Sequence, residues 1–514
     1  MAKSKPLHVV MFTMNAWGHV RPLCSLAAKI LEAKPDMYIT FFTTTVPSSV
    51  DRIRKEILRN LGTQVDDYVE ARIRIVALRG KTGHVFDKTL IRDSFPEAYS
   101  ILVNEQPIIS AGDEKVYNAI PKPNAVILDA FLLEPMRVIR AMKNNAAEIY
   151  SWTPAGVTLI AASAPKYREA RGDILVEIIF DVRGEVLHLP GLPSIYDREI
   201  HPQKIVNEGF AGRAWMRMFE ALYLCDGSFL FTPEEFEPVA ISVIRDWLAK
   251  PIYTVGPLLP PLESRRSISR ESSLVKEADK IENFMNEILN TRGQHSLLVI
   301  SFGSTFWPSE PGMIWAFLDV VMELHIPFIM AYPSELAAIP DSTKQKVSEY
   351  KYGLLSKWIP QQSILAHPVA GWFVSHCGQN GTLEAISVGV PMICWPFYAD
   401  QVFNAMVLTL AHNVAYELLQ VRTGEHSIPN KPIHRLSDGS APTCTLHAVK
   451  EEARIVLRDA FFGEGGKSKR ENMKKLQNTV MGCWKDGGSS KICLDKFLED
   501  MERRCIIEGA VSKL

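Results

Sequence analysis

The 514-residue chain lacks most of the features that quickly assign a protein to a class. Its 8 cysteines lie far apart, with no CxxC pair and no His at zinc-finger spacing, which excludes the common structural zinc sites and leaves reduced, buried thiols. Neither charge is in excess. With 57 Lys and Arg against 58 Asp and Glu, no global field draws the chain to nucleic acid or to an anionic membrane. No apolar run approaches the roughly 18 to 20 residues that cross a bilayer, so no transmembrane segment is expected. The first such run, Leu7 to Met14, is broken by His8 and followed by Asn15, Gly18, His19 and Arg21, the pattern of a buried strand and not of a signal peptide. GxGxxG, HExxH and GxSxG are missing, and the Walker-like run ending at Gly466, Lys467 and Ser468 has Phe461 where its first glycine belongs. No two aspartates stand two apart, so the DxD metal motif is absent, no metal or cofactor is expected, and any diphosphate must be stabilised by the chain itself.

What is present is an ordinary globular composition, 47% hydrophobic and 22% charged, over a length that suits two or three domains. Short Val/Ile/Leu-rich runs alternate with amphipathic stretches, the signature of parallel sheets covered by helices. Strands are expected at His8 to Thr13, Tyr38 to Thr43, Ile73 to Ala77, Ala125 to Asp129, Val157 to Ala161 and Phe229 to Thr232. A second set falls at Leu297 to Ser301, Phe328 to Ala331, Leu354 to Lys357, Trp372 to Ser375 and Met392 to Trp395. This predicts an α/β chain with two doubly wound domains. Between them Pro251 to Pro261 and the Arg/Ser-rich Ser264 to Ser273 read as linker. Gly424 to Thr445, carrying three prolines, reads as a lid or a disordered insertion. Ser512, Lys513 and Leu514 spell a peroxisomal address, so the expected location is the cytoplasm with peroxisomal targeting as a further destination.

In open parallel sheets ligands bind beyond the carboxyl ends of the strands, so polar residues there are the first candidates. Gly18 and His19 follow the first strand, Asp129 ends a later one, and Gly303 and Ser304 follow Leu297 to Ser301. His376, Cys377, Gly378, Gln379, Asn380, Gly381 and Thr382 form a small polar turn opening a helix near Thr382. Its free amides and dipole suit a phosphate; a helix capped by its own Asn or Thr is the plain alternative.

From Trp358 through Pro360, Gln361, His367, His376, Gly378, Asn380, Thr382, Glu384 and Pro396 to Asp400, Gln401 and Asn404, the ordered spacing resembles the donor-binding box of UDP-glycosyltransferases. Gly18, His19 and Asp129 extend the resemblance over nearly the whole chain. It implies two Rossmann-like domains facing across a cleft, the arrangement called GT-B. The divisions would be residues 1–250 for the acceptor domain, 251–280 for the linker, 281–484 for the UDP-sugar domain, and 485–514 for a terminal helix crossing back plus tail. By similarity Trp358 stacks on uracil, Gln361 lies near base and ribose, and Glu384 holds the ribose hydroxyls. Ser304, His376, Asn380, Gly381 and Thr382 would form the diphosphate site, and Asp400 and Gln401 would hold the sugar. The chain departs from many plant members, which have Trp, Asn and Ser where Gln379, Asn380 and Gly381 stand. One wall of the sugar pocket is therefore different, although the final Gln401 is the residue associated with glucose.

Attack of a hydroxyl on an anomeric carbon needs a base, and an imidazole, which ordinarily titrates near 6.5, is matched to that task. His19 is the expected base, with Asp129 fixing its tautomer as in hydrolase triads. Direct displacement would invert the anomeric centre, giving a β-glycoside. Phe86, Phe95, Tyr99, Phe131, Leu132, Leu133 and Trp152, with Trp17 at the cleft mouth, suit a small lipophilic alcohol, phenol or hydroxylated lipid, or are simply core. Two rivals remain: a UDP-sugar epimerase, and a non-catalytic UDP-sugar-binding protein. The sole Asn-x-Ser/Thr sequon, Asn380-Gly381-Thr382, would carry its glycan on the phosphate site, which argues against residence in the secretory lumen.

Overall fold

The computed structural model describes residues 6–46, 49–62, 67–81, 89–165, 182–204, 217–261, 277–423, 431–436 and 439–511. Its frame is a pair of parallel sheets. The first has 7 strands: β1 (His8–Phe12), β2 (Tyr38–Thr44), β3 (Ile73–Leu78), β4 (Ala125–Asp129), β5 (Glu148–Thr153), β6 (Gly227–Leu230) and β7 (Ile252–Thr254). They lie in the order β7-β6-β5-β4-β1-β2-β3. The second has 6: β8 (Leu297–Ser301), β9 (Phe328–Ala331), β10 (Gly353–Ser356), β11 (Ala370–Ser375), β12 (Met392–Cys394) and β13 (Ala415–Glu417), in the order β10-β9-β8-β11-β12-β13. Both have helices on their faces, so nearly every strand residue is buried, which is why these strands read as continuous apolar runs. The α/β fold with two Rossmann-like lobes is therefore the one expected.

Strand order reverses between β1 and β4 in the first sheet and between β8 and β11 in the second. Those are the switch points where the loops leave on opposite sides and open a crevice. The helices that serve the crevice are α1 (Trp17–Ala33), α2 (Ser49–Leu61), α3 (Gln361–Ala366), α4 (Gln379–Val388) and α5 (Asp400–Met406). The last helix, α6 (Ser489–Val511), packs on the first sheet: Phe497 sits edge-on to Tyr150, Phe229 and Tyr253, and Ser490 Oγ donates to Gly256 O at 2.7 Å. Among the described residues no helix is long and apolar enough to cross a membrane. None of the 8 cysteines forms a disulfide among those residues either.

Three expectations are corrected. Val157 to Ala161 is not a strand; Thr158–Ala161 is a helical turn, because Glu237 accepts the amides of Val157 and Thr158 at 2.9 and 2.8 Å and so caps it from another part of the chain. The strand of that region is β5, whose polar Ser151 is satisfied by Ser228 Oγ of β6 at 2.7 Å. The second concerns disorder within Gly424 to Thr445: its described residues 431–436 are ordered between the lobes, the His434 amide donating to Glu199 Oε1 at 2.9 Å and its ring stacking on Tyr196 of the first, while Arg435 pairs with Glu199 and with Glu417 of β13 in the second. Third, α4 starts at Gln379 and not near Thr382. Ser264 to Ser273, and Ser512, Lys513 and Leu514, lie outside the described residues.

Candidate active site

The first-lobe wall is assembled at the β1/β4 switch point. Parallel pairing sets Phe12 beside Leu128, so the next residues on each strand, Thr13 and Asp129, meet at the carboxyl edge. Thr13 Oγ1 donates to Asp129 Oδ2 at 2.6 Å and the Phe131 amide to Oδ1 at 3.0 Å. His19 Nδ1 lies 2.7 Å from the same Oδ2. Burial alone would raise the Asp129 carboxyl, but the charge and hydrogen bond of His19, with Thr13 and the Phe131 amide, outweigh it and hold it below the usual carboxylate range. Asp129 is fully enclosed whereas the His19 side chain is 22% exposed, so the imidazole is fixed on its Nδ1 side and open to the cleft elsewhere. The Phe131 ring, half-buried, sits 5.9 Å from it.

The second-lobe wall follows β8, β10, β11 and β12. Ser304 is exposed on the turn after β8. Trp358, after β10, leaves 47% of its surface in solvent, an unusual exposure for an indole and the flat face a stacking partner needs. His376 is wedged between glycines: a Cβ on Gly378 would come within 2.6 Å of its Nε2, and one on Gly303 within 3.0 Å of its Cε1. Desolvation pushes this imidazole down to about 4, so it stays neutral near pH 7. The first-turn amides of α4, at Gln379, Asn380 and Gly381, have no carbonyl a turn earlier to bond. Glu384, one turn on and 1% exposed, accepts from Gln361 Nε2 at 2.6 Å, Gln362 Nε2 at 3.0 Å and Arg21 Nη2.

The walls are joined by hydrogen bonds across the crevice. Pro22, inside α1, has no N–H to offer the carbonyl four residues back, which is that of Gly18. That carbonyl instead accepts Asn380 Nδ2 at 2.8 Å. Gln379 Nε2 donates to Phe231 O at 2.8 Å, Arg59 to Gln362 Oε1 at 2.7 Å, and the Gly156 amide to Asp400 Oδ2 at 3.1 Å. A glycine is needed at the last contact, since a Cβ there would lie 2.1 Å from Asn404 Oδ1. Burial pushes the Asp400 carboxyl up to about 6, only partly opposed by the Gly156 amide.

Several expected site residues stand differently. Thr382 is wholly buried, with its amide on Gly378 O and its hydroxyl without a hydrogen-bond partner. Gln401 is 4% exposed and its Oε1 already accepts the amides of Phe397 and Tyr398, leaving only its amino group to offer. Gln379 ties the lobes together and is not a wall of the cleft. Trp17 is half-buried with the Arg52 guanidinium 3.6 Å over its ring. Phe95, Tyr99, Leu132, Leu133 and Trp152 are core, and Phe86 lies outside the described residues. Thr13, Arg21, Arg59, Gly156 and Gln362 were not singled out from the sequence. The proline three residues after His19 was the one available signal, because it frees a carbonyl at the helix start. Among the described residues no three His, Cys, Asp or Glu side chains are grouped so as to hold a metal ion.

Two Rossmann-like lobes with switch points facing across a crevice define the GT-B class of fold. Solved structures agree: a transferase from Siraitia grosvenorii in complex with UDP superposes with a TM-score of 0.71 at 19% identity, covering 96% of this chain and 100% of its own. A Medicago truncatula protein complexed with UDP-glucose gives 0.68 at 20%, covering 96% and 98%. In sequence, the family model for UDP-glucoronosyl and UDP-glucosyl transferase matches residues 239–423. The UDP-glycosyltransferase eriJ of Hericium erinaceus is 27% identical over 94% of this chain and 96% of its own length. By family model, relatives and fold alike the chain is similar to UDP-glycosyltransferases, and together these findings indicate a UDP-sugar-dependent glycosyltransferase.

Proposed function

We propose that the enzyme transfers a hexose, glucose by preference, from its UDP-sugar to a hydroxyl of a small lipophilic acceptor, with inversion to a β-glycoside. The carrying observation is the His19–Asp129 pair, 2.7 Å apart, tied to the donor wall through Asn380 and Gly18 O. In this reading His19 Nε2 takes the acceptor proton as the hydroxyl attacks the anomeric carbon, and Asp129 fixes the tautomer and stabilises the imidazolium. Displacement of UDP from the opposite face inverts the centre.

On the donor side Trp358 stacks on the base, Gln361 orients it, and Glu384 accepts the ribose hydroxyls. Ser304, His376, Asn380 and the α4 first-turn amides, including that of Gly381, take the diphosphate without a metal. Asp400 and the amino group of Gln401 hold the sugar, which agrees with the UDP-glucose complexed in the Medicago truncatula structure. Phe131 lies where the acceptor meets His19, and Trp17 supports the cleft mouth. A Phytolacca americana structure holding UDP-2fluoro-glucose and pterostilbene, a lipophilic phenol, favours an acceptor of that kind.

Incubating the protein with several UDP-sugars, with and without a mixed acceptor library, and weighing the products tests this. Hexosylated phenols or alcohols with β linkage are expected. Conversion of the UDP-sugar without acceptor would establish an epimerase instead, and binding without product a passive UDP-sugar protein.

A further inference from the structure

Glu384 has more partners than it can keep. A carboxylate offers about four acceptor positions, and Arg21 with Gln362 on Oε1 and Gln361 on Oε2 already use three. Two ribose hydroxyls need two, so one partner must leave. Gln361 and Gln362 sit on α3 of the same lobe, whereas Arg21 reaches over from α1 of the other. A displaced Arg21 would gain from another anion, since its side chain is only 18% exposed and the Arg52 guanidinium is near enough to repel it. The same Arg21 Nη2 lies 3.4 Å from Asn380 Oδ1, at the first turn of α4. An anion at those amides is therefore within its reach, and guanidinium prefers phosphate oxygens in paired geometry.

We propose that Arg21 is an exchangeable counter-ion of the donor site: it neutralises Glu384, yields that carboxylate to the ribose hydroxyls, and passes to the nucleotide's diphosphate. The inference rests on the ribose role of Glu384 given above. Arg21 then supplies a full positive charge to the leaving group, which the neutral His376 does not. It also couples donor binding to lobe position, because the moving group belongs to the first lobe and its targets to the second.

Calorimetric titration of the full chain with uridine and with UDP separates the two halves of the exchange. Arg21→Gln removes a competitor for the ribose and a partner for the phosphates, so uridine should bind about 5-fold tighter and UDP about 10-fold weaker. Arg21→Lys, keeping the charge, should restore most of the UDP affinity. Glu384→Gln should weaken uridine and UDP alike. Equal shifts of uridine and UDP in Arg21→Gln, unrepaired by Arg21→Lys, would reduce Arg21 to a structural strut and overturn the proposal. Uridine affinity indifferent to both Glu384→Gln and Arg21→Gln would instead remove the ribose assignment on which it stands.

Discussion

The two walls of the cleft are built in different ways. The second-lobe wall comes, apart from Ser304 after β8, from a single stretch, Trp358 to Gln401, in which each strand end delivers one or two groups. The first-lobe wall draws Thr13, His19 and Arg21 from the end of β1 and the start of α1, Asp129 from the end of β4 and Gly156 from beyond β5, and strand pairing brings these distant segments together. One wall is a local pattern that can be read along the chain, and the other is a product of the sheet. On the proposed function the difference follows from their tasks. A nucleotide is an extended, constant shape that a short run of strand ends can match, whereas a proton relay needs a charge buried beneath an exposed imidazole.

The largest expected effect lies on the assembled wall. His19→Ala should lower kcat by roughly 10²- to 10⁴-fold while the dissociation constant for UDP stays within about twofold, because the general base acts on the acceptor and not on the nucleotide. Steady-state rates with calorimetry check this, and a fully active variant would erase the functional contrast between the walls. On the contiguous wall, Trp358→Ala should weaken UDP about tenfold, the worth of one base–aromatic stack, with kcat at saturation little changed. The same titration in Trp358→Phe should recover part of the loss. A smaller effect sharpens the comparison where the walls touch. With its carboxyl pushed up to about 6, Asp400 is the anion above that pH, able to accept sugar hydroxyls in the proposed role, and loses the charge as pH falls through it. The donor KM should therefore rise severalfold from pH 7 to pH 5, and Asp400→Asn should be uniformly weak and flat over that range.

What could be read in advance tracks the same division. Strands β1, β2, β3, β4, β8 and β9 were legible because burial on both faces demands unbroken apolar residues. The strand β5 was not, since Ser151 and Thr153 break the apolar run and their burial depends on neighbours such as Ser228. Val157 to Ala161 has the composition of a strand yet turns as a helix, because Glu237 caps it from some eighty residues away. His19 and Asp129 could be picked out as residues at strand ends, but Thr13 and Arg21 carried no pattern of their own. Arg21 in particular looks like an ordinary charged position on a surface helix until the second lobe is set against it.

The class of fold could be read from the chain alone, as could the ordered run from Trp358 to Gln401, because both depend on residue type at local spacing; His19 and Asp129, 110 residues apart, could be read only as separate candidates at strand ends. Only the tertiary structure decided which carbonyl Pro22 releases, whose guanidinium closes on Glu384, and which aromatics line the cleft instead of filling the core. These are properties of two surfaces in contact, and the free energy of a buried charge depends on groups that the chain brings near it from a distance.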